Sequence, residues 1–327
     1  MTPSPPVPFR SRVLSLLGGL AFLAFVAASL LVGSARWFWL GEVATSFGWQ
    51  LGCMGLVGVV ALALTRRPRL AALTLVLALV HMGPELGLWW PSGAAQNEVD
   101  IEVLTLASCN LLWDNTNTAA LHTWLDEVDP DIVAFEEVSP FWRAELESLS
   151  ASYPNLILSP PANRWSKGTW GTAFLSRVPL TDPRWIAPPE HVDRPHLEVH
   201  ATLGGRPLTL RVAHPPRPGR TPRVEWRNSV LDRIAEQDWS GQAILLGDLN
   251  TTRTSPMFGR LLEVTGLRDS RQGFGRQPTF TTVNPFPGLQ IAIDHVLVSD
   301  AVSVLDRRTA AFEGSDHRSV VVRVAAK

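Results

Sequence analysis

The sequence of 327 residues has few cysteines and few charged side chains. Two cysteines cannot form a disulfide scaffold or a zinc site of four thiolates. Charged residues make up 18% of the chain, whereas about 25% is usual for a soluble protein, so apolar segments are expected. The net charge of −1 gives no overall case for nucleic-acid binding. No residue type or short repeat dominates, which argues against disorder and against a solenoid.

The apolar residues are concentrated at the front of the chain, where Glu42 and Glu85 are the only acids before residue 92. A helix of twenty apolar residues is about 30 Å long, which matches the hydrocarbon core of a bilayer. We therefore predict a membrane domain over residues 1–90 with three transmembrane helices. A cleaved signal peptide is the alternative for the first of them. The three apolar runs cover residues 13–32, 43–64 and 70–90.

The basic residues around these runs predict their orientation. Arginines precede the first run and fill the short loop between the second and the third. The positive-inside rule places those segments in the cytoplasm. With three spans, the rest of the chain then lies outside the cytoplasmic membrane, as the domain of a multi-pass protein. If the third run only lies in the interface, the domain is cytoplasmic instead. The arginines are Arg10, Arg12, Arg66, Arg67 and Arg69.

Residues 91–98 form a predicted linker, and residues 99–327 are predicted to form one domain. Residues 92–327 have 23 basic and 28 acidic residues, a net charge of −5. Hairpin-like strand pairs alternate with βα crossovers, which predicts a layered α/β sandwich rather than a purely parallel sheet. The predicted helices are 118–127, 141–149 and 224–236. The predicted strands are 101–108, 131–135, 156–158, 172–175, 197–203, 208–213, 243–246, 279–283, 292–299 and 319–324.

Polar residues gather at the ends of these predicted strands. Strand ends present side chains at one rim of a sheet, so several of them can converge on one cleft. Each residue alone has an ordinary explanation, such as a turn residue or a solvated strand end, and only the combination indicates a site. The residues are Asn110, Glu136, Glu137, His214, Asp248, Asn250, Asp294, His295, Asp316 and His317.

Seven short motifs contain these residues: 107–112 (ASCNLL), 131–138 (DIVAFEEV), 171–177 (GTAFLSR), 212–214 (VAH), 246–251 (LGDLNT), 293–299 (IDHVLVS) and 314–317 (GSDH). Their order resembles that of the endonuclease/exonuclease/phosphatase superfamily, which has the DNase I-like fold. The resemblance covers residues 99–327. It implies a four-layer α/β/β/α sandwich and a metal-dependent hydrolase of phosphoric esters.

The resemblance also implies a role for each residue. His317 is similar to the essential histidine of the family, and Asp294 would hold its ring. Asp248 resembles the group that orients or deprotonates the attacking water, while Asn250 and His214 resemble phosphate contacts. A phosphoester is anionic and repels nucleophiles, so a cation and neutral donors favour its transition state. The implied ligands of Mg²⁺, or alternatively Mn²⁺, are Asn110, Glu137 and Asp316.

Three features depart from the family pattern. Glu136 stands where the family often has glutamine, directly before the implied metal ligand Glu137. His214 is followed by two prolines, where many relatives have Thr-His-Leu. The apolar front is absent from the DNA-repair nucleases of the family. The substrate therefore has to be inferred from this chain itself.

The charge distribution favours a small phosphorylated substrate over a nucleic acid. A net charge of −5 opposes duplex binding, which requires many phosphate-neutralising cations. Arg217, Arg220 and Arg223 follow His214 and are predicted to bind substrate, because guanidinium groups bind phosphate oxygens in pairs. A solvated basic loop is the alternative. Trp165 and Trp170 are predicted either to line an approach for a lipid chain or to pack in the interior.

These observations predict a membrane-anchored, Mg²⁺-dependent phosphoesterase that acts on a lipid-linked phosphate or diphosphate at the outer face of the membrane. The layout of three spans and an outward domain resembles the VanJ-type bacterial proteins linked with teicoplanin resistance. That resemblance implies a role in glycopeptide resistance. An exported or surface-tethered nuclease is one alternative, and a catalytically inactive binding or scaffold protein is another. The intact set of candidate catalytic residues argues against the inactive protein.

Overall fold

A computed structural model describes residues 9–91, 101–159, 171–190, 192, 194–281 and 287–327. The chain divides into two compact units, Met1–Leu86 and Gly87–Lys327. Nearly all of the predicted linker lies outside the described residues, and so do Trp165 and Trp170.

Over its described residues, 9–86, the first unit contains four helices, and two helices are long and apolar enough to cross a membrane. The second predicted run is not one straight helix, because α2 and α3 meet at an angle of 75°. The break lies at Ser46 and Phe47, directly before Gly48. Glycine is unfavourable in the interior of a helix. A third span results only if this bent pair is counted as one. The helices are α1 (Phe9–Gly33), α2 (Trp39–Thr45), α3 (Gly48–Leu64) and α4 (Pro68–Leu86).

Glycines allow the helices of the first unit to approach closely. A Cβ atom on Gly52 would collide with Met82 of α4, and one on Gly55 would lie 2.7 Å from the Phe25 ring of α1. Small residues of this kind are typical of helix interfaces in membranes. The helices of this unit therefore pack together through small residues on α3.

The second unit is built on two six-stranded sheets and a short two-stranded ribbon. The helices are α5 (Thr118–Val128), α6 (Pro140–Ser148), α7 (Thr221–Ala235) and α8 (Pro256–Thr265). The strands are β1 (Val103–Asn110), β2 (Ile132–Val138), β3 (Asn155–Leu158), β4 (Gly171–Ser176), β5 (Thr181–Ile186), β6 (His196–Leu203), β7 (Arg206–Val212), β8 (Gln242–Asp248), β9 (Arg268–Asp269), β10 (Phe280–Thr281), β11 (Gln290–Ile291), β12 (Asp294–Val298), β13 (Val302–Ala311) and β14 (Arg318–Ala326).

Three apolar cores separate the layers of this unit. The first sheet has the order β13-β14-β1-β2-β4-β3, and the second has the order β5-β6-β7-β8-β12-β9. Alternate residues of both sheets, such as Leu106 and Leu210, pack face to face between them. Residues such as Trp124 of α5 and Trp142 of α6 cover the outer face of the first sheet. Helices α7 and α8 cover the outer face of the second sheet, with Phe258 in that core. The predicted mixed α/β sandwich with two sheets is confirmed.

Three strands that the sequence pattern did not predict, β5, β9 and β13, lie at the edges of the sheets. Strand β5 is mostly exposed and contains Pro183, and β13 carries Asp306, Arg307 and Arg308 among its apolar residues. Edge strands commonly carry charged residues and proline, which hinder pairing with further strands. Their hydropathy pattern is correspondingly weak.

Strand β6 carries a buried histidine on the face opposite the central core. His196 is 2% exposed, and neither ring nitrogen has a hydrogen-bond partner among the described residues. Burial, together with Arg233 and Arg211, lowers the pKa of His196 to about 4. The same ring in the unfolded chain titrates near pH ~6.5. The contribution of neutral His196 to the folding stability is therefore fully present above pH ~6.5 and is lost as the pH falls toward 4.

We expect His196→Leu to reduce the loss of stability between pH ~6.5 and ~4 by up to about 3 kcal/mol. In this pH range the unfolded wild-type chain binds a proton at His196 and the folded chain does not, whereas leucine binds no proton in either state. The measurement is denaturant unfolding of the full chain in detergent across this pH range. Leu197→Val on the same strand is the control, since it should lower stability equally at every pH. Parallel pH profiles for wild type and His196→Leu would contradict the expectation.

Candidate active site

The strand ends that carry the candidate site residues lie at one edge of the sandwich in both sheets. Strands β1 and β2 run parallel, as do β7 and β8, and the partners β14 and β12 run antiparallel to them. Strands β1 and β8 therefore end where β14 and β12 begin. Asn110 at the end of β1 reaches Asp248 at the end of β8, with Nδ2 3.4 Å from Oδ2. The two sheets meet through these side chains.

A β-bulge in β2 places two consecutive glutamates on the same side of the first sheet. Phe135 pairs with Ala173 of β4, and Val138 pairs with Gly171, so β2 contains one extra residue. Glu137 has a φ of +56°, which is uncommon outside glycine. Without the bulge, alternation along the strand would turn Glu137 toward the outer helices.

The two glutamates have different surroundings. Glu137 faces the cleft, with Oε1 3.8 Å from His214 Nε2, and its Oε2 accepts a hydrogen bond from the backbone of Trp113 at 3.1 Å. Glu136 is fully buried and accepts a hydrogen bond from Ser108 Oγ at 2.8 Å. Burial and the nearby carboxylate of Asp294 raise the pKa of Glu136. A neutral carboxyl can donate and accept hydrogen bonds, as glutamine does.

Gly247 allows the ends of β7 and β8 to approach each other. Its φ is +133°, and a Cβ atom there would collide with the carbonyl oxygen of Ala213. The next residues are His214 and Asp248, whose Nε2 and Oδ2 atoms are 3.4 Å apart. The absence of a side chain at Gly247 therefore brings a histidine and a carboxylate together.

His317 completes the cleft from the start of β14. Its Nδ1 lies 2.9 Å and 3.0 Å from the two carboxylate oxygens of Asp294, and its Nε2 lies 3.8 Å from Asp248 Oδ2. The Phe280 ring packs against the imidazole with 4.8 Å between ring centroids. The carboxylate and the aromatic ring together fix the orientation of His317.

The buried charges depend on one another. Burial alone would raise the pKa of Asp248, but the hydrogen bond with His214 and the charge of His317 lower it to about 2. Burial alone would lower the pKa of His317, but the charge of Asp294 and the hydrogen bond to it raise it to about 10. Asp248 is therefore an anion and His317 a cation at neutral pH.

These side chains open into a cleft of about 1090 Å³. Among the predicted site residues, Asn110 and Asp294 lie directly behind the cleft surface, where they contact Asp248 and His317. Arg220 is exposed and is not part of the cleft lining. His295 is fully buried away from the cleft and packs against Phe258. The predicted residues that line the cleft are Glu137, His214, Arg217, Arg223, Asp248, Asn250, Asp316 and His317.

The structure adds lining residues that the sequence did not reveal. Arg194 precedes β6, and its Nη1 lies 3.1 Å from His214 Nε2. Trp113 and Trp226 are 46% and 37% exposed, although both are large and apolar. Trp113 directly follows the motif 107–112, whereas Arg194 and Trp226 lie far from any motif. Further apolar lining comes from Pro188, Pro189 and Val192.

The donor groups of the cleft fit a hard divalent cation. Mg²⁺ prefers carboxylate, carbonyl and water oxygens, and the carboxylates of Glu137, Asp248 and Asp316 all line the cleft. The ligand atoms of Asp248, Asp294 and His317 also lie within 4.8 Å of one another. However, Asp294 and His317 are already hydrogen-bonded to each other. The donor chemistry therefore favours the open carboxylate side of the cleft.

Residues 107–317 match the model of the Endonuclease/Exonuclease/phosphatase family. The chain belongs to this family. Its members are metal-dependent phosphoesterases and nucleases, so the chain is a hydrolase of phosphoric esters, as the motifs predicted. No curated protein matches the sequence significantly.

Solved structures of the family share the fold. An endonuclease/exonuclease/phosphatase from Beutenbergia cavernae is 19% identical with a TM-score of 0.57, over 69% of this chain and 72% of that one. D. rerio TDP2 complexed with single-strand DNA product is 19% identical with a TM-score of 0.56, over 68% and 99%. The human Nocturnin catalytic domain with bound sulfate anion is 16% identical with a TM-score of 0.55, over 69% and 95%. The DNA in the TDP2 structure means that the comparisons do not support the expectation against nucleic acid.

A buried arginine supports the turn in the motif 246–251. Arg227 on α7 is 1% exposed, and its Nη1 donates a hydrogen bond to the backbone carbonyl of Asn250 at 3.0 Å. Asn250 has a φ of +50°, and its side-chain amide donates to the Pro215 carbonyl at 3.0 Å. Arg227 therefore supports the turn that carries Asp248 and Asn250.

We expect Arg227→Met to lower the kcat for bis(p-nitrophenyl) phosphate by about tenfold or more and to destabilise the fold by about 1–3 kcal/mol, because a buried carbonyl loses its donor. Arg227→Lys should recover part of both, since an ammonium group can still donate. Arg233→Met on the same helix is the control, because Arg233 is exposed and pairs only with Glu236 at 3.1 Å among the described residues. Steady-state kinetics and thermal unfolding provide the measurements. Equal activities of Arg227→Met and Arg233→Met would exclude a positioning role.

Proposed function

We propose that the protein is a membrane-anchored, Mg²⁺-dependent phosphoesterase whose substrate is a lipid-linked phosphate ester or diphosphate. One observation carries the proposal. A single cleft combines carboxylates, two histidines, arginines and exposed apolar side chains. The polar groups suit a phosphate, and the apolar ones suit the chain attached to it.

We assign the metal to the carboxylate side of the cleft, with Glu137 and Asp316 as ligands and Asn110 beside them. A bound Mg²⁺ supplies Lewis-acid stabilisation of the phosphate charge. Asn110 uses its amide oxygen to accept a hydrogen bond from the backbone of Leu112 at 3.0 Å, which orients its side chain next to Asp248. Mn²⁺ is the alternative ion because its ligand preferences are similar.

The remaining groups act on the water and on the phosphate. Asp248 is an anion in the cleft and is placed to orient or deprotonate the attacking water. His317, held as a cation by Asp294, stabilises the charge that develops on the phosphate. The side-chain nitrogen atoms of His214 and Asn250 both lie close to the Asp248 carboxylate, 3.4 Å and 3.3 Å from Oδ2. They are placed to contact the phosphate oxygens.

Two features support a lipid substrate. Trp113 and Trp226 expose large apolar surfaces in the cleft, and Pro188 and Val192 also line it. The first unit contains helices that are long and apolar enough to cross a membrane. We therefore propose a multi-pass protein of the cytoplasmic membrane with its catalytic unit outside, acting in the cell envelope. A contribution to glycopeptide resistance would follow from such a substrate.

A nuclease is the second candidate function. D. rerio TDP2, which shares the fold, has been solved with a single-strand DNA product, and exposed tryptophans also stack on bases. The discriminating assay is cleavage of single- and double-stranded DNA at low salt, where electrostatic binding is strongest. An inactive scaffold would show the same background rate for wild type and His317→Ala.

We expect the purified full-length protein with Mg²⁺ to release phosphate from a polyprenyl diphosphate. Glu137→Gln and His317→Ala should each lower kcat by about 10²–10⁴-fold, because the first removes a metal ligand and the second removes a stabilising cation. Glu313→Gln is the matched control, since this exposed carboxylate lies in the same turn as His317 but not in the cleft lining. Colorimetric phosphate release is the measurement. Rapid DNA cleavage without lipid turnover would reject the lipid proposal and favour the nuclease.

The membrane topology has its own test. Alkaline phosphatase fused after Trp90 should be active, and the same enzyme fused within residues 65–69 should be inactive, because alkaline phosphatase folds only outside the cytoplasm. Green fluorescent protein fusions at the same points should give the reverse pattern. A fluorescent fusion after Trp90 would place the catalytic unit in the cytoplasm and overturn the proposed localisation.

A further inference from the structure

Three arginines line the same cleft as the candidate catalytic groups: Arg194, Arg217 and Arg223. Arg194 lies directly against His214, with 3.1 Å between Nη1 and Nε2. A guanidinium group in this position is next to the phosphate contacts proposed above. The other two arginines require a separate explanation because they belong to the segment around the start of α7.

Arg217 is connected to the reaction centre through an aromatic ring. Its guanidinium carbon lies 5.5 Å from the centre of the Phe280 ring, and that ring packs on His317 with 4.8 Å between centroids. The cation–π contact directs the Arg217 side chain toward the cleft. The Phe280 ring thus contacts both Arg217 and the candidate catalytic residue His317.

Arg223 reaches the cleft from the first turn of α7, three residues before Trp226. Residues three apart lie on the same side of a helix, and both side chains line the cleft. A cationic group and an exposed apolar group therefore stand side by side on this helix. Such a pair suits the junction between a phosphate and a hydrocarbon chain.

The charges of Arg217 and Arg223 are not neutralised within the part of the chain that the structure describes. No described carboxylate lies within 4.0 Å of either guanidinium group, whereas Arg211 on β7 pairs with Glu198, and Arg260 pairs with Asp232 at 3.0 Å. Both unpaired groups are exposed and remain available to an anion. Guanidinium groups bind phosphate oxygens in pairs.

We infer that Arg217 and Arg223 form a second phosphate subsite, which makes a diphosphate ester the preferred substrate class. This inference rests on the proposed function and narrows it from phosphate esters in general. The terminal phosphate would occupy the catalytic centre, and the phosphate attached to the lipid would occupy the second subsite. Trp226 would then contact the first carbons of the lipid chain.

The proposed reaction is hydrolysis of the phosphoanhydride bond. The water oxygen forms a bond to the terminal phosphorus, and the bond from that phosphorus to the bridging oxygen breaks. The electron pair of that bond stays on the bridging oxygen, which leaves as part of the lipid monophosphate. Asp248 accepts a water proton, which then passes to solvent. Arg217 and Arg223 would stabilise the negative charge gained by the leaving monophosphate.

The chain contains a matched control for this subsite. Arg220 lies between the two arginines in sequence, has the same charge and is exposed, but it is not part of the cleft lining. Removing it changes the net charge of the protein by the same amount as removing Arg217 or Arg223. A general electrostatic effect would therefore be equal for all three variants.

The experiment compares Arg217→Ala, Arg223→Ala and Arg220→Ala in the full-length protein in detergent. The substrates are a polyprenyl diphosphate and bis(p-nitrophenyl) phosphate, which has one phosphate. We expect Arg217→Ala and Arg223→Ala each to lower kcat/KM for the diphosphate by about 10- to 100-fold, since each removes charge-assisted hydrogen bonds. Their kcat/KM for the diester should fall much less than that for the diphosphate, and both values for Arg220→Ala should stay within about twofold of wild type.

A binding measurement provides a readout independent of turnover. Isothermal titration of methylenediphosphonate and of methylphosphonate in the presence of EDTA should show a preference for the diphosphonate that Arg217→Ala and Arg223→Ala remove. Similar kcat/KM values for the diphosphate in all three variants would overturn the second subsite while the proposed function stands. An equal loss on both substrates would also overturn it, because the arginines would then serve the scissile phosphate. No turnover of the diphosphate by wild type would instead reject the proposed function itself.

Discussion

The site depends on one carboxylate oxygen that joins the two sheets. Asp248 Oδ2 is approached by nitrogen atoms of Asn110 from the first sheet, of Asn250 from its own turn, and of His214 and His317 from two further strand ends, at 3.3–3.8 Å. A buried anion is stable only when such donors surround it. Burial alone would raise the pKa of Asp248, but His214, His317 and the Asn250 backbone lower it.

Two local departures from regular backbone make this arrangement possible. The bulge at Glu137 turns a carboxylate from the helix-covered face of the first sheet to the cleft. Gly247 lets the ends of β7 and β8 approach to the distance at which His214 meets Asp248. Strained or unusual backbone of this kind is tolerated where the surrounding structure fixes it, as Arg227 does for Asn250. The rigid sandwich beneath supplies that support.

Much of the fold could be predicted because its central strands are short, strongly apolar runs. Strands β1, β7 and β8 lie between two layers, so their sequences carry a clear signal. The edge strands β5 and β13 were not predicted, since their exposed residues follow no such pattern. The bend between α2 and α3 was also missed, because an apolar run reveals its length but not its shape.

By itself, the sequence determined the family, the chemical class and the candidate groups, because the motifs retain their residue types and their order. Only the tertiary structure decided which side chains share the cleft. It placed Arg194 beside His214, left Arg220 outside the lining and set Phe280 between Arg217 and His317. These positions depend on strand register, one bulge and the path of loops. None of these is encoded in the spacing of residues along the chain.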